Sequence, residues 1–103
     1  MNKTEKIVSA IVSMKKLKIT YKDEEETKYY VVNPHLIGKV KSSGNVVLSA
    51  YQDSVITGSW KTFLLGNISE AELLDEGFEH TAKGYNPKDK RMATIVCSIP
   101  SVR

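Results

Sequence analysis

Residues 17–40 read LKITYKDEEETKYYVVNPHLIGKV, and the spacing of apolar side chains in this stretch decides the fold class. Its first six residues alternate between apolar and polar, which predicts a strand with one buried face. The acidic run 23–26 predicts a solvated turn, because unpaired carboxylates resist burial. A second strand is predicted over 27–32. It is expected to end at Asn33-Pro34, because proline cannot donate to a sheet ladder.

The N-terminal segment is predicted to be an amphipathic helix. Its apolar residues recur at the three-and-four spacing of one helix face and comprise Ile7, Ala10, Ile11 and Met14. Asn2 or Thr4 is expected to cap its start. The helix is expected to end near Lys16, where a run of lysines suits the exposed carbonyls. An isolated helix of about a dozen residues is marginal in water, so its apolar face should pack on the rest of the domain.

The remainder of the chain predicts further short strands separated by polar turns. The strand-like segments are 35–40, 46–51, 60–65 and 93–99. Turns are expected at 42–45 and 84–87, with a longer loop at 53–59. The sequence does not decide between two secondary structures for segment 68–78. Its Glu, Ala and Leu content favours a helix, whereas an all-β setting favours a short strand.

Together these elements predict a single, mostly β domain over residues 1–103. One N-terminal amphipathic helix precedes five to six short antiparallel strands, the pattern of a small curled sheet or barrel with the helix packed on one side. A hydrophobic fraction of 41% and a charged fraction of 26% are typical of a soluble globular protein. The formal charge of +3 suits an anionic partner but is too small to prove one.

Few groups in the chain are suited to catalysis or metal binding. Cys97, the only cysteine, is expected to pack as a small hydrophobic residue, and His35 and His80 lack companions at metal-site spacing. The serines near His35 and Asp53 show no nucleophile-elbow glycine pattern. The sequence therefore predicts a non-enzymatic protein without a cofactor. Its start has no continuous apolar segment for secretion or membrane spanning, so the cytoplasm is the expected compartment.

A first group of candidate ligand-binding residues lies at predicted strand ends, where a rigid small sheet usually displays a binding site. It consists of His35, Tyr51, Gln52, Trp60 and Lys61. The two aromatic rings are suited to stack a base, His35 and Gln52 to hydrogen-bond its edge, and Lys61 to meet a phosphate. The alternative is that both rings are half-buried packing residues and that His35 caps a turn.

A second candidate group lies in the segment 83–91, where four cations surround one aromatic residue. Tyr85, Lys88 and Arg91 are its candidate ligand-binding residues. Positive charge beside an aromatic face suits a nucleotide phosphate or a single-stranded nucleic acid. The alternative is an ordinary solvated turn.

The order of these motifs resembles the WYL domain, in particular small stand-alone WYL-domain proteins of bacteria and phages. KKLKITY at 15–21 is similar to the family's basic stretch that leads into a strand ending in Tyr, and VNPHLIG at 32–38 to its Val-Glu-Pro-His-Leu segment. VVLSAYQ at 46–52 stands in the place of the Trp-Tyr-Leu signature, of which Leu48 remains. WKTF at 60–63 is similar to the family's Arg-x-Phe strand.

The resemblance implies a small Sm-like β-barrel with an added helix. It also implies a domain that senses a nucleotide or nucleic acid in transcriptional regulation or anti-phage defence, with a separate regulator chain as partner because this chain has no room for a helix-turn-helix. Tyr30, Leu64 and Asn67 stand where family members commonly have arginines. If those arginines are the anion contacts, Lys61 and the segment 83–91 are left to replace them.

Two functional hypotheses follow. The leading one is a ligand-binding module for a nucleotide, a cyclic oligonucleotide or a single-stranded nucleic acid, with His35, Gln52 and Trp60 gathered around one hollow. The alternative is a protein interaction or assembly subunit, a homo-oligomer included, that acts through a strand edge or the helix.

Overall fold

The fold is taken from a computed structural model that describes residues 1–54 and 56–100. Position 55 of the predicted loop 53–59 and positions 101–103 of the predicted domain lie outside the described residues. The elements are α1 (Lys3–Ser13), β1 (Lys15–Lys22), β2 (Thr27–Val40), β3 (Val46–Gln52), β4 (Ser59–Leu64), β5 (Ile68–Gly77) and β6 (Met92–Ser98), with a 3-10 turn at Leu65–Asn67. The mostly β prediction with one N-terminal helix is confirmed.

The helix α1 begins with a reciprocal cap. The Asn2 side chain accepts from the Glu5 backbone N–H at 2.8 Å, and the Glu5 carboxylate accepts from the Asn2 N–H at 3.1 Å. The helix ends at Ser13, earlier than predicted, because Met14 adopts the left-handed conformation with φ of 52°. The lysines that were expected to lie at the C-terminal end of the helix therefore belong to β1. Within the described residues no helix is long and apolar enough to cross a membrane.

The strand β2 runs through Pro34 without a break, so the prediction that it ends at Asn33-Pro34 is wrong. Its register with β3 shifts between Pro34 and Leu36, which leaves His35 as the extra residue of a β-bulge. A bulge is one of the few places in a sheet that tolerates proline. The first half of β2 pairs with β1, and the second half lies between β3 and β6.

All strand pairs are antiparallel, and the sheet order is β4-β3-β2-β1-β5, with β6 also on β2. Among the described residues β4 and β5 do not pair with each other, so the sheet is open and a closed barrel is not observed. At the end of β4, the Leu64 N–H donates to the Tyr21 hydroxyl of β1 at 3.1 Å.

The segment that the sequence left undecided is the strand β5. It pairs with β1 along most of its length, and Ile68 and Ala71 face the core. The side chains that favour a helix in isolation are outweighed because pairing with β1 satisfies the backbone and buries these two residues.

Hydrophobic side chains form two clusters on opposite sides of the sheet. The larger contains the buried face of α1 together with residues of β1, β3, β4 and β5, and the Phe63 ring packs edge-on against Tyr21 and Tyr30. The smaller contains Leu36, Val47 and Met92, with Tyr85 packed against them. Tyr85, in the connection from β5 to β6, also packs against the larger cluster.

Candidate functional site

The candidate site begins with two residue pairs on the β3–β4 hairpin. Tyr51 lies opposite Trp60, and Ser49 lies opposite Thr62 two positions further along. Because side chains on a strand alternate between faces, these four project from the same face of the hairpin. The Tyr51 and Trp60 rings pack edge to face with centroids 5.5 Å apart.

The segment 79–91, which links β5 to β6, is held against this face through Trp60. The indole Nε1–H donates to the Lys83 carbonyl at 2.9 Å. Gly84 follows with φ of 91°, a conformation that L side chains rarely adopt, and a Cβ there would lie 3.4 Å from the indole nitrogen. The backbone conformation of the turn, rather than lack of space beside the indole, therefore favours glycine at this position.

Between the hairpin and this segment lies a cavity of about 290 Å³. Its lining combines aromatic, hydroxyl, amide and charged groups. The lining residues are Ser49, Trp60, Thr62, Gly84, Tyr85, Asn86, Asp89 and Arg91. This mixture suits a small planar ligand with a polar edge and a negative charge.

An ion pair stands at the cavity. Arg91 Nη2 lies 2.7 Å from Asp89 Oδ2, and Arg91 Nε donates to Asp89 Oδ1 at 3.1 Å. Hydrogen bonding with Arg91 lowers the pKa of the Asp89 carboxyl, and the same contact raises the pKa of the guanidinium. A guanidinium carries five N–H donors, so the contact with Asp89 leaves donors over for an anionic ligand.

His35 lies behind the cavity wall and is fully buried. Its Nδ1 lies 2.7 Å from the Asn33 carbonyl oxygen, and its Nε2 is 3.0 Å from the Ala82 backbone nitrogen. An N–H can donate only to an unprotonated Nε2, so this pattern requires the neutral tautomer with the proton on Nδ1. Burial also lowers the pKa of this imidazole.

Both ring nitrogens of His35 thus already have backbone partners, and the contact of His35 with a ligand stays a prediction. The ring is surrounded by aromatic side chains. Its centroid lies 4.9 Å from that of Trp60, 5.1 Å from Tyr85 and 5.3 Å from Phe78. His35 thus supports the two rings that line the cavity.

The Tyr85 ring is held in place through its hydroxyl group. Its hydroxyl donates to the Ile99 carbonyl, with the His35 carbonyl oxygen 3.4 Å away. Burial raises the pKa of this phenol. The ring is nearly parallel to the Trp60 indole, with an angle of 19° and centroids 6.4 Å apart. The two aromatic residues therefore form one preformed surface.

The structure does not bring every predicted site residue to the cavity. Trp60, Tyr85 and Arg91 line it, and Tyr51 packs against Trp60 without lining it. The other three are not among the lining residues: Gln52, Lys61 and Lys88. The first two follow Tyr51 and Trp60 directly in their strands and so project from the opposite face. The third is exposed, in the turn before Asp89.

Sequence reasoning missed the hydroxyl, amide and carboxylate groups of the cavity. Thr62 and Ser49 could have been found from strand alternation, since each stands two positions from a predicted aromatic residue on the same face. Asn86 and Asp89 carried no such signal, because both side chains also accept from backbone N–H groups two residues further on, as in ordinary turns.

Other surface features are weaker candidates for a binding site than this cavity. A depression of about 460 Å³ runs along α1, but all its lining residues belong to Met1 and the helix, so no second element encloses it. In the described part of the chain no group of three or more His, Cys, Asp or Glu is placed to hold a metal ion. Cys97 is half-buried, and burial raises the pKa of its thiol.

Comparison with known proteins found no matching family model and no similar curated protein or solved structure. The functional argument therefore rests on the geometry of the cavity between β4 and the segment 79–91.

Proposed function

We propose that this protein is a non-enzymatic binding module whose cavity takes a nucleotide, either free or as one unit of a cyclic oligonucleotide or a single strand. The observation that carries the proposal is the placement of the Trp60 indole and the Arg91 guanidinium around one cavity. An aromatic face stacks any base, and a guanidinium is suited to bind phosphate through two parallel hydrogen bonds.

The polar groups between these two residues support the same ligand class. Ser49 and Thr62 supply hydroxyls, and Asn86 supplies an amide, so donors and acceptors are present for the edge of a base or for a ribose. A volume of about 290 Å³ is at the small end of ligand pockets, so one nucleotide unit fits better than two. A longer ligand would place one unit inside and extend over the exposed lysines of segment 83–91.

The biological setting of the proposal comes from the resemblance to the WYL domain. An N-terminal helix on a curled antiparallel sheet supports an Sm-like barrel that is opened between β4 and β5. On this proposal the protein is a sensor or regulatory subunit in transcription or phage defence, acting with a separate regulator chain. A cytoplasmic location, expected from the sequence, stays a prediction.

The test is a titration with nucleoside monophosphates, a cyclic dinucleotide and a short oligothymidine, followed by the fluorescence of Trp60, the only tryptophan. Arg91→Gln should weaken binding by about 10- to 100-fold, because a hydrogen bond to a charged group contributes about 1.5 to 3 kcal/mol. For the nucleoside monophosphates, which do not reach beyond the cavity, the matched control is Lys90→Gln, which removes the same charge from an exposed neighbour outside the cavity.

Arg91→Lys separates charge from shape in the same assay. It keeps the positive charge but loses the planar fork, so intermediate affinity is expected. An unchanged fluorescence signal at millimolar ligand would contradict the proposal. Equal losses in Arg91→Gln and Lys90→Gln would place the phosphate outside the cavity.

A further inference from the structure

The charges at the cavity between β4 and the segment 79–91 cancel each other. Of the described residues that line it, only Asp89 and Arg91 are charged, and the two form an ion pair. Hydrogen bonding with Arg91 lowers the pKa of the Asp89 carboxyl, so this group is ionised at neutral pH. A ligand phosphate therefore meets one positive and one negative group rather than a positively charged pocket.

The contact with Asp89 occupies one edge of the guanidinium. Arg91 Nε lies 3.1 Å from Oδ1 and 3.2 Å from Oδ2 of Asp89, and Arg91 Nη2 lies 2.7 Å from Oδ2. On the other edge, one N–H of each terminal nitrogen remains, and these two are suited to bind a phosphate through two hydrogen bonds. The Arg91 side chain is 66% exposed, so the guanidinium is accessible to a ligand.

We infer that the cavity selects a phosphodiester, the singly charged link within a cyclic oligonucleotide or a strand, over the doubly charged terminal phosphate of a free mononucleotide. This inference rests on the proposed function and narrows its ligand class. Asp89 is the specificity-determining residue, because its carboxylate repels every negative charge that a ligand brings to Arg91.

The charge of the phosphate group decides between the two ligands. A terminal phosphate carries about −1.5 to −2 at pH 7, whereas a diester carries a single charge. The cost of removing an ion from water rises with the square of its charge, but its attraction to a guanidinium rises only in proportion to it. Since Asp89 cancels part of that attraction, the extra dehydration cost of the terminal phosphate is not offset. Lys88 and Lys90 are exposed and do not line the cavity, so solvent and salt screen their charges.

The test compares two ligands that differ by one methyl group, thymidine 5′-monophosphate and its methyl ester, which is a diester. Trp60 fluorescence gives the Kd of each at low salt and about pH 7.5. The parent protein should bind the methyl ester about 3- to 10-fold more tightly. Asp89→Asn keeps the size of the side chain but removes its charge, so it should bring the ratio of the two Kd values close to one.

The matched control is Glu79→Gln. It removes the same charge from an exposed position of the same segment that does not line the cavity, so the ratio of the two Kd values should not change.

A pH series tests the same point without a variant. The terminal phosphate has its second pKa near about 6, so at about pH 5 it carries close to a single charge. The preference of the parent protein for the methyl ester should therefore shrink between about pH 7.5 and about pH 5. Any effect of His35 protonation on the cavity applies to both ligands and cancels in the ratio of their Kd values.

The outcomes separate this inference from the proposed function. Equal Kd values for the two ligands in the parent protein, or an unchanged ratio in Asp89→Asn, would overturn the inference but leave the nucleotide site in place. An unchanged fluorescence signal with both ligands at millimolar concentration would overturn the proposed function as well. A cyclic dinucleotide and a linear dinucleoside monophosphate both contain the diester, so both should bind more tightly than the monophosphate, and the tighter of them identifies the source of the diester.

Discussion

The imidazole of His35 connects the sheet to the segment that covers it. Nδ1–H donates to the Asn33 carbonyl in the same strand, and Nε2 accepts the N–H of Ala82, 47 positions further along the chain. Protonation of Nε2 would turn this acceptor into a donor that faces another donor. Among the described residues no acidic side chain is hydrogen-bonded to the ring to favour the charged form.

The stability of the protein should therefore fall when the pH falls below about 6.5. The pKa of His35 is lowered in the folded state from its ordinary value of 6.5, so below that pH the unfolded chain binds more protons than the folded one. The contribution is complete above pH 6.5 and is lost towards the lower folded pKa, with a slope of up to about 1.4 kcal/mol per pH unit. Urea unfolding followed by Trp60 fluorescence between about pH 7.5 and about pH 5 measures it.

The second histidine provides the control for this pH profile. His80 is exposed, so His80→Gln should keep the pH dependence of the parent protein, whereas His35→Gln should flatten it and lower the stability throughout. The carboxyls of Asp53 and Asp89, whose pKa values are lowered by their ion pairs, lose their contributions only near and below their ordinary pKa of 3.8. An unfolding free energy that stays constant from pH 7.5 to pH 5 would contradict the role given to His35.

At the scale of elements, β6 packs closely against β2 because the β2 residue at the contact is a glycine, which has no side chain. A Cβ on Gly38 would lie 2.7 Å from the Thr94 carbonyl oxygen and 3.2 Å from the Met92 sulfur. The β2–β6 register also shifts between Ile37 and Gly38. The two strands therefore pack too closely here for any larger residue.

Gly38→Ala should destabilise the protein by about 1 to 3 kcal/mol, the usual cost of inserting a methyl group into a packed interior. The backbone of β6 would have to move, so the loss should appear both in the urea midpoint and as faster amide exchange in β6. Gly66→Ala is the matched control, because no atom lies within 4 Å of a Cβ there. Equal midpoints for the two variants would show that β2 and β6 can separate without cost.

At the scale of the whole molecule, aromatic side chains join β4 to β1 and β2 across the larger core. The Phe63 ring of β4 lies 5.3 Å from that of Tyr21 in β1 and 5.1 Å from that of Tyr30 in β2, both edge-on. Edge-to-face pairs contribute about 0.5 to 1.5 kcal/mol beyond the area that they bury. The curl of the sheet thus depends on this aromatic cluster.

Phe63→Leu keeps most of the apolar volume but removes both ring contacts, so a loss of about 1 to 3 kcal/mol is expected. Thermal unfolding followed by circular dichroism measures it. Leu64→Ala, at the partly exposed neighbouring position, should cost no more than about 1 kcal/mol. A larger loss at Leu64 than at Phe63 would show that the aromatic cluster contributes little to the curl.

The charge distribution over the whole molecule predicts how binding depends on salt. The net charge is only +3, Arg91 lines the cavity, and the segment 83–91 also carries exposed lysines. The affinity for oligothymidine between about 50 and 200 mM salt should therefore show a shallow slope, about −0.7 for each phosphate contact. Arg91→Gln should reduce the slope by about one contact. A slope that Arg91→Gln leaves unchanged would show that stacking, rather than phosphate contact at Arg91, holds the strand.

Part of the candidate site could be predicted from the chain itself. Tyr51 and Trp60 were expected to lie together, and they do because the two strands of a hairpin pair in register. Lys61 could have been excluded by the same logic, since it follows Trp60 directly and faces the other side of the strand. His35 could not be placed correctly, because its burial depends on a bulge that lets β2 pass through Pro34.

By itself the sequence determined the local features of the protein. These are the start of α1, the positions of the turns and the alternation that makes β1 a half-buried strand, and all of them depend on residues within a few positions of one another. The tertiary structure alone decided the open sheet, the strand form of β5 and the cavity itself. The strand form of β5 depends on its pairing with β1, and the cavity depends on the contacts of Trp60 with Lys83 and of His35 with Ala82. These contacts join residues far apart in the chain and leave no periodic signal in it.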